Sequence, residues 1–183
     1  MTLDPSPLEQ SPLDQPAEAR NPQAQINLQD LDLDPFETAI LPILRHFLAA
    51  VTAPETQSWH IAYATAAERW GQSVGLAVAH GLSELLCAIH ACRDAPVTHC
   101  DALALDTRAL LTADEAMILL MIRYMRRDNT ERARIAVENL THGRRDASVV
   151  RAGLKFAQRF HAGMTRRPGD PAPARPEPLR IVQ

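Results

Sequence analysis

A long run without proline, residues 55–95, most constrains what this chain can fold into. Apolar side chains recur in it every three to five residues, the spacing of the buried stripe of an amphipathic helix. They are Trp59, Ala62, Ala66, Trp70, Val74, Ala77, Leu82, Leu85 and Ile89. The sequence therefore predicts one long helix over residues 52–93, around which the rest of the chain is organised.

The start of this helix is predicted from a capping box. Thr52 would cap the helix, Pro54 would lie in its first turn, and Glu55 would reach back to the cap. At about 1.5 Å per residue the helix would be roughly 60 Å long, which is more than a domain of this size needs. We therefore expect a bend at one of three glycines, Gly71, Gly75 or Gly81.

The segments on either side of the long helix are predicted to be shorter. Asp34 is a typical capping residue and Pro35 a typical first helical residue, which predicts a helix over residues 34–51. Residues 94–111 contain helix breakers, and their leucines suggest a short helical turn packed on the core. These leucines are Leu103, Leu105, Leu110 and Leu111.

Three further helices are predicted, over residues 113–127, 131–142 and 147–161. The first opens with a capping box from Thr112 to Glu115 and is apolar on nearly every side. A helix of that kind is normally the buried centre of a bundle. The predicted fold is therefore all-α, a bundle of five or six helices around the long central helix.

The two ends of the chain, residues 1–33 and 166–183, are rich in proline and lack apolar periodicity. Segments of this composition bury too little apolar surface to offset the entropy of ordering. We therefore predict two disordered tails, an acidic one and an arginine-containing one, around a single helical domain at residues 34–165. Residues 26–34 alternate apolar with polar or acidic side chains. They are either a solvated linker or a segment that docks on a partner or on the basic half of the same chain.

Cysteine content and hydropathy bear on the compartment. The chain has three cysteines, a small and odd number that does not fit a disulfide framework and favours a reducing compartment. The N-terminus lacks the basic and apolar regions of a signal peptide. The most apolar long window, residues 74–92, contains His80, Glu84 and His90, so we expect no membrane span. The predicted location is the cytoplasm.

Charge is distributed unevenly along the chain. Residues 1–122 carry 16 acidic and 5 basic side chains, a net charge of −11. Residues 123–183 carry 6 acidic and 14 basic side chains, a net charge of +8. Such a chain can pair its own halves, pair with a second copy, or offer its basic half to a polyanion.

The reactive side chains are densest between residues 80 and 100. Cys87, His90, Cys92, His99 and Cys100 lie close together in sequence, without the spacing of a known zinc site. His80, Glu84 and Cys87 share one face of the predicted helix. The weak candidates for metal or haem ligation are His80, Glu84, Cys87 and His90. The alternative, small cysteines in helix contacts and surface histidines, is favoured, so no cofactor is expected.

Two further patterns indicate contact surfaces. Gly71, Gly75 and Ala79 place small residues on one helix face, where an internal neighbour or a second copy of the chain could approach closely. Arg151, Lys155 and Arg159 line one side of the last helix. Arg144 and Arg145 precede that helix. These five cations could contact phosphates, a protein partner or the acidic half of the chain.

The sequence carries no phosphate loop at its one lysine, no Gly-x-Ser-x-Gly and no His-Glu-x2-His motif. The leading hypothesis is therefore a small cytosolic interaction or regulatory protein, not an enzyme. It would bind another macromolecule, and the expected partner is a protein. One alternative is a nucleic-acid-binding, transcription-type regulator that uses the basic C-terminal helices. A second alternative is a metal- or haem-binding helical protein. A homodimer is compatible with each of them.

Overall fold

The computed structural model describes residues 25–163, and the predicted tails at residues 1–24 and 164–183 lie outside them. The described residues form five helices, which confirms the predicted all-α bundle. The helices are α1 (Pro35–Thr52), α2 (Ser58–Cys92), α3 (Ala113–Arg126), α4 (Thr130–Leu140) and α5 (Ala147–Arg159). Two short strands, β1 (Ile26–Asn27) and β2 (Leu110–Leu111), pair in antiparallel fashion.

The predicted start of the long helix is wrong. Thr52 is the last residue of α1, and its hydroxyl donates back to the carbonyls of Leu48 and Ala49 at 3.3 and 3.2 Å. The Thr52 hydroxyl therefore does not cap the N-terminus of α2. A 3-10 turn (Pro54–Thr56) follows, and Gln57 adopts a left-handed conformation before α2 begins at Ser58.

The predicted bend in α2 lies at Gly71, where φ is 77° and ψ is 165°. This backbone region is essentially open to glycine alone. The bend folds the two halves of the helix tightly together. A Cβ added at Gly75 would lie 2.1 Å from the carbonyl oxygen of Ala66 in the preceding half.

The core is built around α3. Its residues from Glu115 to Ile122 are all buried, as the sequence predicted for the central helix. α3 packs against α1, α4 and α5, while α2 packs against α1 and α5. Because α4 and α5 both rest on α3 and make at most sparse contact with each other, a gap opens between them.

Residues 94–111 do not form the expected helical turn. Leu103 and Leu105 are both 75% exposed, whereas Leu111 is fully buried as part of β2. Charged residues from the helices fix this loop. The Arg45 guanidinium donates to both oxygens of Glu115, at 2.7 and 3.2 Å, and to the carbonyl of Thr107 at 3.3 Å. The sequence pattern of leucines was therefore not a helical pattern but that of an exposed loop ending in a strand.

Arg93 and Asp114 hold the same loop from the other side. The two side chains form a bidentate pair at 3.1 Å for both contacts. Asp114 also accepts from the backbone amide of Thr98 at 2.8 Å, and Arg93 donates to the carbonyl of Leu140 at 2.8 Å. The N-terminal end of α3 therefore ties the loop to the end of α4.

The first predicted tail ends earlier than expected, because residues 25–33 are folded onto the bundle. Ile26 pairs with Leu111 in the two-stranded ladder, and Leu31 is buried in the core. Asp32 forms an ion pair with Arg123. Residues 26–34, which we call the strap, thus dock on the basic half of their own chain, one of the alternatives that the alternating pattern left open.

A buried ion cluster at Arg126 joins three helices. Its guanidinium donates to Asp34 and Glu37 at 2.7 and 2.6 Å, and to the carbonyl of Phe160 at 2.5 Å. The side chains of Arg126 and Glu37 are both fully buried. The uneven charge of the sequence is thus partly used inside the fold, because acidic residues of the strap and α1 meet arginines of α3.

His46 gives the fold a pH dependence. The side chain follows Arg45 on α1 and is buried, and burial lowers its pKa, while the charge of Asp101 acts in the opposite direction. A histidine whose pKa is lowered by folding stabilises the native state above its unfolded pKa of about 6.5, and this contribution is lost as the pH falls. Urea unfolding between about pH 7.5 and pH 5.5 should show a larger loss of stability in the parent than in His46→Gln. An equal loss in the two proteins would contradict this assignment.

Among residues 25–163, α2 alone has the length and apolar composition that a membrane span requires. A core helix of a water-soluble protein passes the same test, and 44% of the relevant window is buried inside the bundle. One helix of this kind is therefore weak evidence for a membrane span.

Candidate interaction surface

The structure separates the five cations of the predicted basic stripe. Lys155 donates to both carboxylate oxygens of Glu84 on α2, at 2.8 and 2.9 Å. This hydrogen bond lowers the pKa of Glu84 below its ordinary value. Arg145 pairs with Glu138, and Arg144 approaches Asp94 at 3.9 Å.

Arg151 and Arg159 differ from the other three cations. Both are exposed, and within the described part of the chain neither has a carboxylate at ion-pair distance. Arg159 instead lies over the ring of Phe160, at 5.7 Å from the ring centroid. The predicted stripe is therefore not a continuous row of free cations, since acidic side chains of the same chain occupy part of it.

The predicted small-residue seam lies mainly inside the bundle. Gly75 and Ala79 are buried, and Gly75 lies against the backbone of Ala66 across the bend. Gly71 is exposed, but its role is the bend itself. These contacts are intramolecular, so a homodimer through this seam would require the bend to open.

The weak metal candidates are not brought together. His80 lies 3.8 Å from Glu84, but Glu84 already binds Lys155. Cys87 is exposed, and His90 contacts the carbonyl of Leu86 at 2.8 Å. In the portion that the structure covers, no three side chains of His, Cys, Asp or Glu are placed to hold one ion.

An apolar groove between α4 and α5 was not predicted. Its volume is about 240 Å³. The end of α3 forms its floor, and apolar side chains of α4 and α5 form its walls. These residues are Tyr124, Met125, Ala133, Val137, Val150 and Leu154. We call this feature the α4–α5 groove.

Arginine side chains stand at the edge of the α4–α5 groove. Arg134 is on α4, and Arg145 ends the connection between α4 and α5, where its pair with Glu138 fixes it. Gly143 in that connection has φ 83°, a left-handed turn that ends α4 and separates it from α5. Asp146 then caps α5 by accepting from the amides of Ser148 and Val149. The local sequence thus opens the groove and places a cation at its edge.

The sequence signal for the groove was weak but present. Val150 and Leu154 are four residues apart on α5, beside the basic residues, a spacing that places them on one helix face. Leu154 is 42% exposed and Val150 is half-buried. Only the relative position of α4 and α5 joins these two residues with Ala133 and Val137 of α4 into one surface.

A second cavity lies on the other side of α4, between α3, α4 and the strap. Its volume is about 320 Å³. Met117, Leu120, Ile135 and Ala136 line it with apolar groups, and Arg123, Arg132 and Asn139 line it with donors. Asp30 and Asp32 of the strap close one side. We call this feature the strap cavity.

Comparison with known proteins indicates no function, so a functional proposal depends on the fold, the α4–α5 groove and the strap cavity. No family model matches the sequence, no curated protein matches it, and no solved structure matches the fold.

Proposed function

We propose that the protein is a small interaction or regulatory protein whose α4–α5 groove binds a segment of a partner protein. The segment would carry leucine or isoleucine side chains flanked by carboxylates. The observation that supports this proposal is an open apolar groove with arginines at its edge. The proposal involves no catalytic step, and the cytoplasm remains the predicted location.

The chain itself supplies an example of this recognition. The strap is an acidic, leucine-containing segment, and it lies on the other side of α3 and α4. There Leu31 is buried, Asp32 pairs with Arg123, and Asp34 pairs with Arg126. A partner segment of the same chemistry would find apolar walls and arginines in the α4–α5 groove as well.

The size of the groove is sufficient for a few anchoring side chains. Full burial of a leucine side chain contributes about 1.5–3 kcal/mol, and micromolar affinity corresponds to about 8 kcal/mol. Association also costs translational and side-chain entropy, so two or three apolar anchors need further contacts. Arg134 and Arg145 already form exposed pairs with Glu131 and Glu138. Carboxylates of the segment would share or replace these pairs and would thereby fix its direction.

The groove can be tested with a pair of matched variants. Leu154→Glu places a carboxylate in the apolar wall, whereas Leu76→Glu makes the same change at an equally exposed position on α2. Both leucines are 42% exposed, so neither change should unfold the protein. We expect Leu154→Glu to weaken partner binding at least about tenfold, because a charge in an apolar site is desolvated. Leu76→Glu should bind as the parent does.

The measurement is enrichment from the native host with the full chain, followed by titration of the purified partner and mapping of its binding segment. Support requires that the partner is lost on Leu154→Glu and retained on Leu76→Glu, and that the mapped segment is acidic and apolar. A partner that both variants retain would reject the groove. A second copy as the occupant would appear in light scattering as a dimer of the parent and a monomer of Leu154→Glu.

The nucleic-acid alternative predicts a different result. Arg151 and Arg159 would then contact phosphates, and affinity for duplex DNA would fall steeply with salt. Micromolar binding to DNA at about 150 mM salt that is lost when both arginines are changed to glutamate would show that the partner is a nucleic acid and not a protein.

A further inference from the structure

We infer that the strap cavity is a binding site for a small amphipathic organic carboxylate, a molecule with an apolar body and one carboxylate. This site is separate from the α4–α5 groove and does not depend on the function proposed for it. The inference rests on unused hydrogen-bond donors, on an apolar wall, and on a volume of about 320 Å³. Pockets of this size commonly accommodate small organic ligands.

The donors are two arginines gathered at one aromatic ring. The guanidinium of Arg123 lies 5.8 Å from the ring centroid of Tyr124, and that of Arg132 lies 5.7 Å from the same centroid. Tyr124 is half-buried and lines the cavity together with both arginines.

The acceptors that the strap cavity supplies are too few for these donors. Asp32 accepts from the Nη2 atom of Arg123. The Nε atom of Arg123 is buried and has no hydrogen-bond partner among the described residues. Arg132 has no carboxylate at ion-pair distance in the same part of the chain. A buried donor without an acceptor costs about 1–3 kcal/mol, so an acceptor from a ligand would relieve this cost.

The opposite wall defines the rest of the ligand. Met117, Leu120 and Ala136 are buried residues of the wall, and Ile135 is 44% exposed beside them. An alkyl or aryl body placed on this wall would cover Ile135 and remove its apolar surface from water. The guanidinium fork matches the two oxygens of a planar carboxylate, and Asn139 adds an amide that can donate.

The acidic residues of the strap favour a ligand with a single negative charge. Asp30 and Asp32 line the strap side of the same cavity, and Asp32 already pairs with Arg123. A doubly charged phosphate would be repelled by these two carboxylates more strongly than a monocarboxylate. The site therefore favours a carboxylate with an apolar body over a free phosphate.

The test uses octanoate as the probe and the full chain as the protein. Binding is followed by the ¹H–¹⁵N signals of the arginine Nε–H groups, and the affinity is measured by titration. Octanoate should shift the Arg123 signal. 1-Octanol has the same apolar body without the charge and should bind at least about tenfold more weakly, because hydrogen bonds to charged groups are the stronger ones. Inorganic phosphate, which lacks the body, should also bind at least about tenfold more weakly.

Matched variants locate the site. Ile135→Glu adds a carboxylate at the wall, and Ile61→Glu makes the same change on α2. The two isoleucines are 44% and 43% exposed, so both variants should fold. We expect Ile135→Glu to weaken octanoate binding about tenfold or more and Ile61→Glu to leave it unchanged. Equal affinity for octanol or phosphate, an unshifted Arg123 signal, or full binding by Ile135→Glu would each overturn the inference.

Discussion

Replacing Arg126 by methionine is expected to lower the free energy of unfolding by about 3–5 kcal/mol, because one partner of a buried ion pair is removed. Glu37 would then remain fully buried with only Arg127, which is one-third exposed, as a cationic partner. The carbonyl of Phe160 would also lose its donor, and Phe36 would lose the guanidinium that lies 4.5 Å from its ring centroid.

Urea unfolding followed by circular dichroism measures this effect. Arg134→Met is the matched control, since Arg134 forms an exposed pair with Glu131 at 3.0 Å. An exposed pair of this kind contributes about 0–1 kcal/mol, so the control should unfold nearly as the parent does. If the two variants were destabilised equally, Arg126 would not hold the three helices together.

Replacing Gly75 by alanine is expected to cost about 3 kcal/mol or more, at the upper end for overpacked sites. The added Cβ would lie 2.1 Å from the Ala66 carbonyl oxygen, which belongs to the backbone and cannot rotate away. Relief would require the bend at Gly71 to open, and the bend positions the second half of α2 against α5.

Gly153→Ala on α5 provides the comparison for Gly75→Ala. There the added Cβ would meet the sulfur of Met125 at 2.4 Å, the far end of a flexible side chain. Methionine can adopt another rotamer, so we expect a loss of only about 1 kcal/mol. Thermal unfolding of both variants measures the two losses of stability. A smaller loss for Gly75→Ala than for Gly153→Ala would show that the bend is not rigid.

The sequence predicted the helices well where the signal is local. Asp34 with Glu37 and Thr112 with Glu115 both form complete capping boxes, in which side chain and backbone exchange hydrogen bonds over three residues. Thr52 and Glu55 show the same pattern, but the helix start that it predicted is wrong. Thr52 is the last residue of α1, and a residue pattern alone does not show to which of two neighbouring helices a residue belongs.

The strap and the groove were harder to predict because they depend on contacts between distant residues. Asp32 and Arg123 are 91 positions apart, and Lys155 and Glu84 are 71 apart. The charges are visible in the sequence but their pairing is not, so the predicted row of cations included Arg145 and Lys155, which Glu138 and Glu84 neutralise in the fold. The exposure of Leu154 likewise does not follow from the sequence, because it depends on the position of α4 relative to α5.

The ion cluster at Arg126 also has a consequence for how the chain folds. Glu37 and Arg126 are 89 residues apart, and closing so long a loop costs entropy before any contact offsets it. Helices with local capping boxes form without that cost, so the cluster should assemble late, after the transition state. Changes at Arg126 would then mainly accelerate unfolding and leave the folding rate nearly unchanged. The lifetime of the native state, more than the speed of reaching it, would thus depend on this one guanidinium.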